Sequence, residues 1–250
     1  MNLEALSISI FGPALLAGLL VLCTHIPLGM QVLRRGIVFI DLAVAQVAAL
    51  GLLAAGLSGW EPQGWQVQVV ATGSALLAAL LLIWMEKRWP EVQEAMIGAM
   101  FVLAASAALI LLAHNPHGGE HLQELLAGQI LWVTWADLIP LALISVAMLA
   151  IWRGLSGQVG RSGFYLLFAI AVTASVQQVG IYLVFSSLIL PALAVRHWSR
   201  NNTAGAFSIG ILGYGCGLVL SALLDLPSGP VIVWSLALLG LAANLLRRYD

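Results

Sequence analysis

Arg34–Gly51, RRGIVFIDLAVAQVAALG, opens on a pair of arginines and then runs apolar for the length of a membrane segment. One carboxylate, Asp41, and one amide, Gln46, interrupt it. An ionised carboxylate in lipid costs roughly 3 kcal/mol on insertion scales, so such a group faces a protein interior or a water-filled path. The rest of the chain has to account for that acid.

Composition sets the surroundings. The 250 residues are 61% hydrophobic and 8% charged, with mean hydropathy +1.00. A soluble domain carries roughly 25% charged residues, so this balance excludes the soluble classes and fits a bundle of membrane helices. A net charge of -1 identifies no partner. The N-terminal MNLEALSISIFG is acidic rather than basic, which reads as a retained first span and not a cleaved signal. Cys23 and Cys216 both sit in apolar runs and read as buried small hydrophobes.

Working outward from Asp41, apolar runs separated by polar, Gly- or Pro-rich joints give nine spans. They are residues 5–33, 37–57, 66–85, 95–113, 134–152, 162–177, 179–196, 204–224 and 230–247. The fold class is an all-α polytopic membrane protein of eight or nine spans, a single membrane domain over residues 1–250. The sixth and seventh spans are short and meet at Gln177, Gln178 and Gly180, which predicts a hairpin turning below the membrane surface.

All ten basic residues, namely Arg34, Arg35, Lys87, Arg88, Arg153, Arg161, Arg196, Arg200, Arg247 and Arg248, fall in alternate joints and at the C-terminus. With nine crossings they share one side. The positive-inside rule makes that side the cytoplasm, with the N-terminus outside and the C-terminus inside. Trp60, Trp65, Trp132 and Trp135 then mark the outer boundary, and Trp84, Trp89, Trp152 and Trp198 the inner one.

Each polar group has two readings. Asp41 either pairs with Arg34 or Arg35 or caps a helix, or it lines a cation path, since divalent cations take oxygen ligands. Gln46, a second candidate metal residue, follows at i+5, about 140° around an ideal helix, which sets it off the acid's face. His114, His117, Glu120 and His121 crowd an outer loop, where imidazoles with a carboxylate suit zinc-like ions. The plainer reading there is a solvated loop, and Gly118 and Gly119 argue against a helix. His25 is a lone membrane histidine, either a hydrogen-bonded structural group or a path residue. Gln177 and Gln178 are candidates for a polar constriction of the path. Asp137 and Glu94 read as helix N-terminal acids. The sequence carries no nucleophile elbow, zinc-protease motif, phosphate loop or nucleic-acid patch, so no enzyme is expected.

Five ordered segments resemble the integral-membrane permease subunits of ABC importers for zinc and manganese. They are RRGIVFIDLAVAQVAALG (34–51), EAMIGAMFVLAASAALILL (94–112), LLAGQILWVTWADL (125–138), VGIYLVFSSLILPALAVR (179–196) and SALLDLPSGPVIV (221–233). The resemblance implies a type II importer-like bundle in the bacterial inner membrane. It also implies a second permease copy forming a homodimer, a cytoplasmic ATP-binding subunit and an extracytoplasmic solute-binding protein. No cofactor and no nucleic acid are implied, only lipid around the spans and a transported divalent metal, with Asp41 contributing to its path. The family's histidine four residues after the acid is Ala45 here. The family's longer cytoplasmic segment between the fifth and sixth spans is reduced to Arg153–Gly163, where Arg153, Gln158 and Arg161 are the expected contacts with the ATP-binding subunit. The expected function is a permease for zinc or manganese. The alternatives are an ATP-independent channel or secondary transporter, and a non-transporting assembly or sensor subunit using the His-rich loop.

Overall fold

The first helix, α1 (Ile8–Arg35), ends on Arg34 and Arg35, where Gly36 takes a left-handed conformation (φ 71) and turns the chain. A short elbow follows, and α2 (Ile40–Gly56) starts one residue before Asp41. In this computed structural model residues 7–56, 65–113, 118–154, 160–198 and 202–246 are described, and all their regular elements are helices. The others are α3 (Trp65–Arg88), α4 (Gln93–Leu112), α5 (Gly118–Ala127), α6 (Trp135–Gly154), α7 (Arg161–Val179), α8 (Ile181–Ala194), α9 (Asn202–Leu224) and α10 (Ser228–Leu246).

All nine expected spans coincide with helices. Among the described residues seven helices are long and apolar enough to cross a membrane, while α2 and α8 are shorter. The outward faces carry exposed Leu77, Leu103, Ile110, Leu143 and Trp234. Helices that are apolar on both faces belong in lipid. Cys216 is among the exposed side chains and Cys23 is only half-buried, both unpaired, so neither is the buried residue its apolar context suggested.

At 14 residues, α8 rises about 21 Å, short of the roughly 30 Å of a bilayer core. It lies at the centre of the bundle, against α1, α2, α5, α7, α9 and α10. Small residues set the close contacts. A side chain at Gly29 of α1 would run into the main chain of α8 at Leu188, and Gly18 lies against the ring of Tyr214 on α9. Gly213 and Gly217 of α9 abut Leu236 and Ile232 of α10.

The ends of α1, α3 and α6, which carry Arg35, Arg88 and Arg153, gather with the start of α7 at one end of the bundle. At the opposite end three main-chain segments meet: Ala127–Gly128 after α5, Val179–Gly180 between α7 and α8, and Gly229 at the start of α10. Gly180 adopts φ 80, ψ 163, a region open in practice only to glycine. One residue thereby ends α7, through its N–H to Val176 O (2.8 Å), and accepts the first bond of α8 from Val184 N–H (3.1 Å). The hairpin expected at this place is therefore a one-residue break.

The main departure is α5, at a place expected to be a loop. Gly118 and Gly119 stand in its first turn, where Gly118 fits against the Leu112 carbonyl with no room for a Cβ. Glycine penalises helix interiors, and here the apolar face wins. Leu122 and Leu125 pack on Leu53, Ala108 and Leu112, covering the ends of α2 and α4.

Candidate functional site

Asp41 is the second residue of α2 and fully buried (0% exposed). Neither of its carboxyl oxygens has a hydrogen-bond partner among the described residues. It is not paired with the arginines before it: Arg34 is exposed, and the Arg35 guanidinium lies over the Phe164 ring at 4.1 Å. Nor does it cap a neighbouring helix. As the second residue of α2 it lies where the partial positive charge of a helix N-terminus favours a carboxylate. A buried acid kept without a partner is expensive for the fold, which makes Asp41 the leading candidate for a functional group.

The spacing along α2 shows where the acid points. Asp41, Ala45, Ala48, Ala49 and Leu52 stand at i, i+4, i+7, i+8 and i+11, one face of a helix. Ala48, Ala49 and Leu52 line a cleft with Ala71 of α3, Leu125 of α5, and Thr173, Val176 and Gln177 of α7. The cleft holds about 10 Å³, the space of roughly one water molecule. A single stripe of small residues therefore connects the acid at the arginine-bearing end to a constriction about 10–16 Å further along the helix. Over that constriction stands the Gly128–Gly180 contact.

Of the residues singled out in the sequence, Asp41 and Gln177 are brought onto this line. Gln178, the next residue, is half-buried and not part of the cleft lining. Gln46 is buried, on another face of α2 from the acid.

His25 is fully buried, with Nδ1 2.9 Å from the Val21 carbonyl and 2.9 Å from Thr24 Oγ1. A carbonyl only accepts, so Nδ1 carries the proton and Nε2 keeps a bare lone pair, which has no partner here. His25 stands on the stripe Gly18–Leu22–His25–Gly29 of α1, which faces α8 and α9 rather than α2.

His114, His117 and Gln158 lie outside the described residues. Glu120 is exposed in the first turn of α5, the helix that also carries His121. Among the described residues no group of three or more His, Cys, Asp or Glu is placed to hold a metal ion. Arg153 is exposed in the last turn of α6, and Arg161 opens α7.

Asp137 works as expected: its Oδ2 accepts from the Thr134 amide (2.9 Å) and hydroxyl (2.6 Å), capping α6. Glu94 does something the sequence did not suggest. From the first turn of α4 it reaches the elbow before α2, where its Oε1 accepts the Phe39 N–H at 3.2 Å. Thr173 was also passed over. Its i, i+4 spacing from Gln177 was the visible sign that both share the cleft-lining face of α7.

The fold has solved counterparts. It superposes on a chain of "PsaBC from Streptococcus pneumoniae in complex with Fab" with a TM-score of 0.75 at 18% identity, over 97% of this chain and 95% of that one. A "probable metal transport system membrane protein" of Chlamydia muridarum is 24% identical over 197 residues, 70% of this chain and 66% of that protein. The "high-affinity zinc uptake system membrane protein ZnuB" of Haemophilus influenzae is 24% identical over 243 residues, 88% of this chain and 91% of the relative. A sequence profile of the ABC 3 transport family matches residues 7–152 and 147–247, nearly the whole length. The chain belongs to the ABC 3 transport family and is a multi-pass membrane permease of the metal ABC transporter type, not itself an enzyme.

Proposed function

We propose that this chain is the permease subunit of an ATP-driven importer of divalent metal ions, zinc or manganese, in a bacterial inner membrane. Its N-terminus is outside and its C-terminus cytoplasmic. The reading rests above all on Asp41, a buried carboxylate with two unpartnered oxygens on the helix face that leads to the constriction. A cation leaving that path meets an oxygen ligand and a negative charge at the arginine-bearing end.

Two permease copies, a cytoplasmic ATP-binding subunit on each and an external solute-binding protein complete the assembly. Nucleotide binding on the partner favours one of two states, open to the outside or to the cytoplasm, by binding them unequally. His114, His117, Glu120 and His121 are the residues we assign to gathering metal outside, with Gln46, Gln178 and His25 as secondary path groups. Arg153, Gln158 and Arg161 are assigned to the ATP-binding subunit.

Metal uptake in a metal-starved strain tests the reading. Deletion of the gene, and Asp41→Ala, each lower cellular zinc or manganese; unchanged content in both strains refutes it. A second reading, an ATP-independent carrier on the same scaffold, is favoured by the short connection of residues 155–160 between α6 and α7. A gentle pull-down with a nucleotide-hydrolysis assay separates the two, because only the importer brings down an ATP-binding subunit.

A further inference from the structure

Phe164 and Tyr165, in the first turn of α7, are both 1% exposed. Phe164 receives the Arg35 guanidinium from the end of α1 at 4.1 Å and the Trp152 ring from the last turn of α6, edge-on at 6.4 Å. The Tyr165 hydroxyl accepts a hydrogen bond from Gln93 Nε2 at the start of α4, at 2.7 Å. The Glu86 carboxylate, in the last turn of α3, lies against the same hydroxyl. Two adjacent residues thus tie together the C-terminal ends of α1, α3 and α6 and the N-terminal end of α4. Beside Gln93, Glu94 holds the Phe39 amide, two residues ahead of Asp41.

An ordinary aromatic core has no need of these polar ties. A buried ring is satisfied by packing alone, and a buried hydroxyl by one main-chain carbonyl. Here each tie runs to a different helix end, and the set leads from the α6–α7 connection to the elbow that carries the acid. Helices joined in this way move as rigid bodies, and packed interfaces switch between discrete arrangements rather than deforming smoothly.

We propose that Phe164 and Tyr165 are positioning residues that couple the cytoplasmic face to Asp41, turning a displacement at the start of α7 into a displacement of the α1–α2 elbow. The proposal rests on the ATP-driven reading above and adds the route by which the partner's work reaches the cation site.

Tyr165→Phe keeps the ring and removes the hydroxyl tie, and Gln93→Met cuts the same bond from the other end. Each is reconstituted with the ATP-binding subunit in liposomes, and nucleotide hydrolysis and uptake of zinc or manganese are measured in the same vesicles. Both variants keep hydrolysis within about twofold of the unaltered complex while metal moved per nucleotide falls about fivefold or more. Phe164→Leu, which keeps apolar bulk but loses the face beneath Arg35, behaves alike. An unchanged ratio, or a proportional fall in both activities, overturns the proposal. If the unaltered complex itself moves metal without nucleotide, the ATP-driven reading fails instead, whatever the variants do.

Discussion

Asp41 and Ala45 stand one turn apart on the same face of α2, both fully buried. The permeases this chain resembles carry a histidine at the second of these positions. Here the acid stands without an imidazole beside it, and Gln46 is turned about 140° away.

Because the Asp41 oxygens have no hydrogen-bond partner among the described residues, Asp41→Asn removes a cost rather than a contact. Its thermal midpoint in detergent equals or exceeds that of the unaltered protein, with a gain of up to about 1 kcal/mol. Metal uptake by the same variant falls by about 10–100-fold, at least the loss typical of removing a metal site's supporting group. A variant that melts early and still transports contradicts both halves.

Ala45→His places an imidazole on the acid's face. The site is fully buried, so the larger side chain costs about 1–3 kcal/mol of stability. Nitrogen ligation favours zinc over manganese, and competition uptake shows the preference moving toward zinc by about tenfold.

Gly180→Ala imposes a side chain on φ 80, ψ 163 and drives its Cβ into the amide of Gly128. We expect a loss of about 3 kcal/mol or more, read as a lower melting temperature and a lower yield of folded protein. Gly73→Ala, in the middle of α3 with nothing close to the added methyl, goes the other way by about 0.5–1 kcal/mol.

Asp137→Ala strips the cap from α6 and costs about 1 kcal/mol, with metal moved per nucleotide unchanged. Asp137→Asn retains an acceptor oxygen and recovers most of the stability. An uptake defect in Asp137→Ala at full protein level removes the purely capping role.

The positions of the helices were legible because membrane helices advertise themselves: apolar runs between basic joints, with the arginines placing the ends. Asp41 was legible for the same reason, as the one carboxylate in its run. What escaped detection depends on contacts between distant segments. α5 was hidden because Gly118 and Gly119 oppose a helix locally, while the Leu122 and Leu125 face that offsets them is recognisable only once Leu53 and Leu112 are beneath it. Glu94 looked like a first-turn acid because nothing in its neighbourhood announces Phe39. Phe164 and Tyr165 were indistinguishable from other buried aromatics until Arg35 and Gln93 were seen against them.

The contact between Gly128 and Gly180 has a consequence for how this end of the bundle holds together. A closure made of acids, histidines or ion pairs loosens when its groups titrate or when salt screens them. This one is main chain on main chain, with no ionisable atom in it. The joint at this end of the bundle is accordingly as tight in acid or brine as in neutral dilute medium.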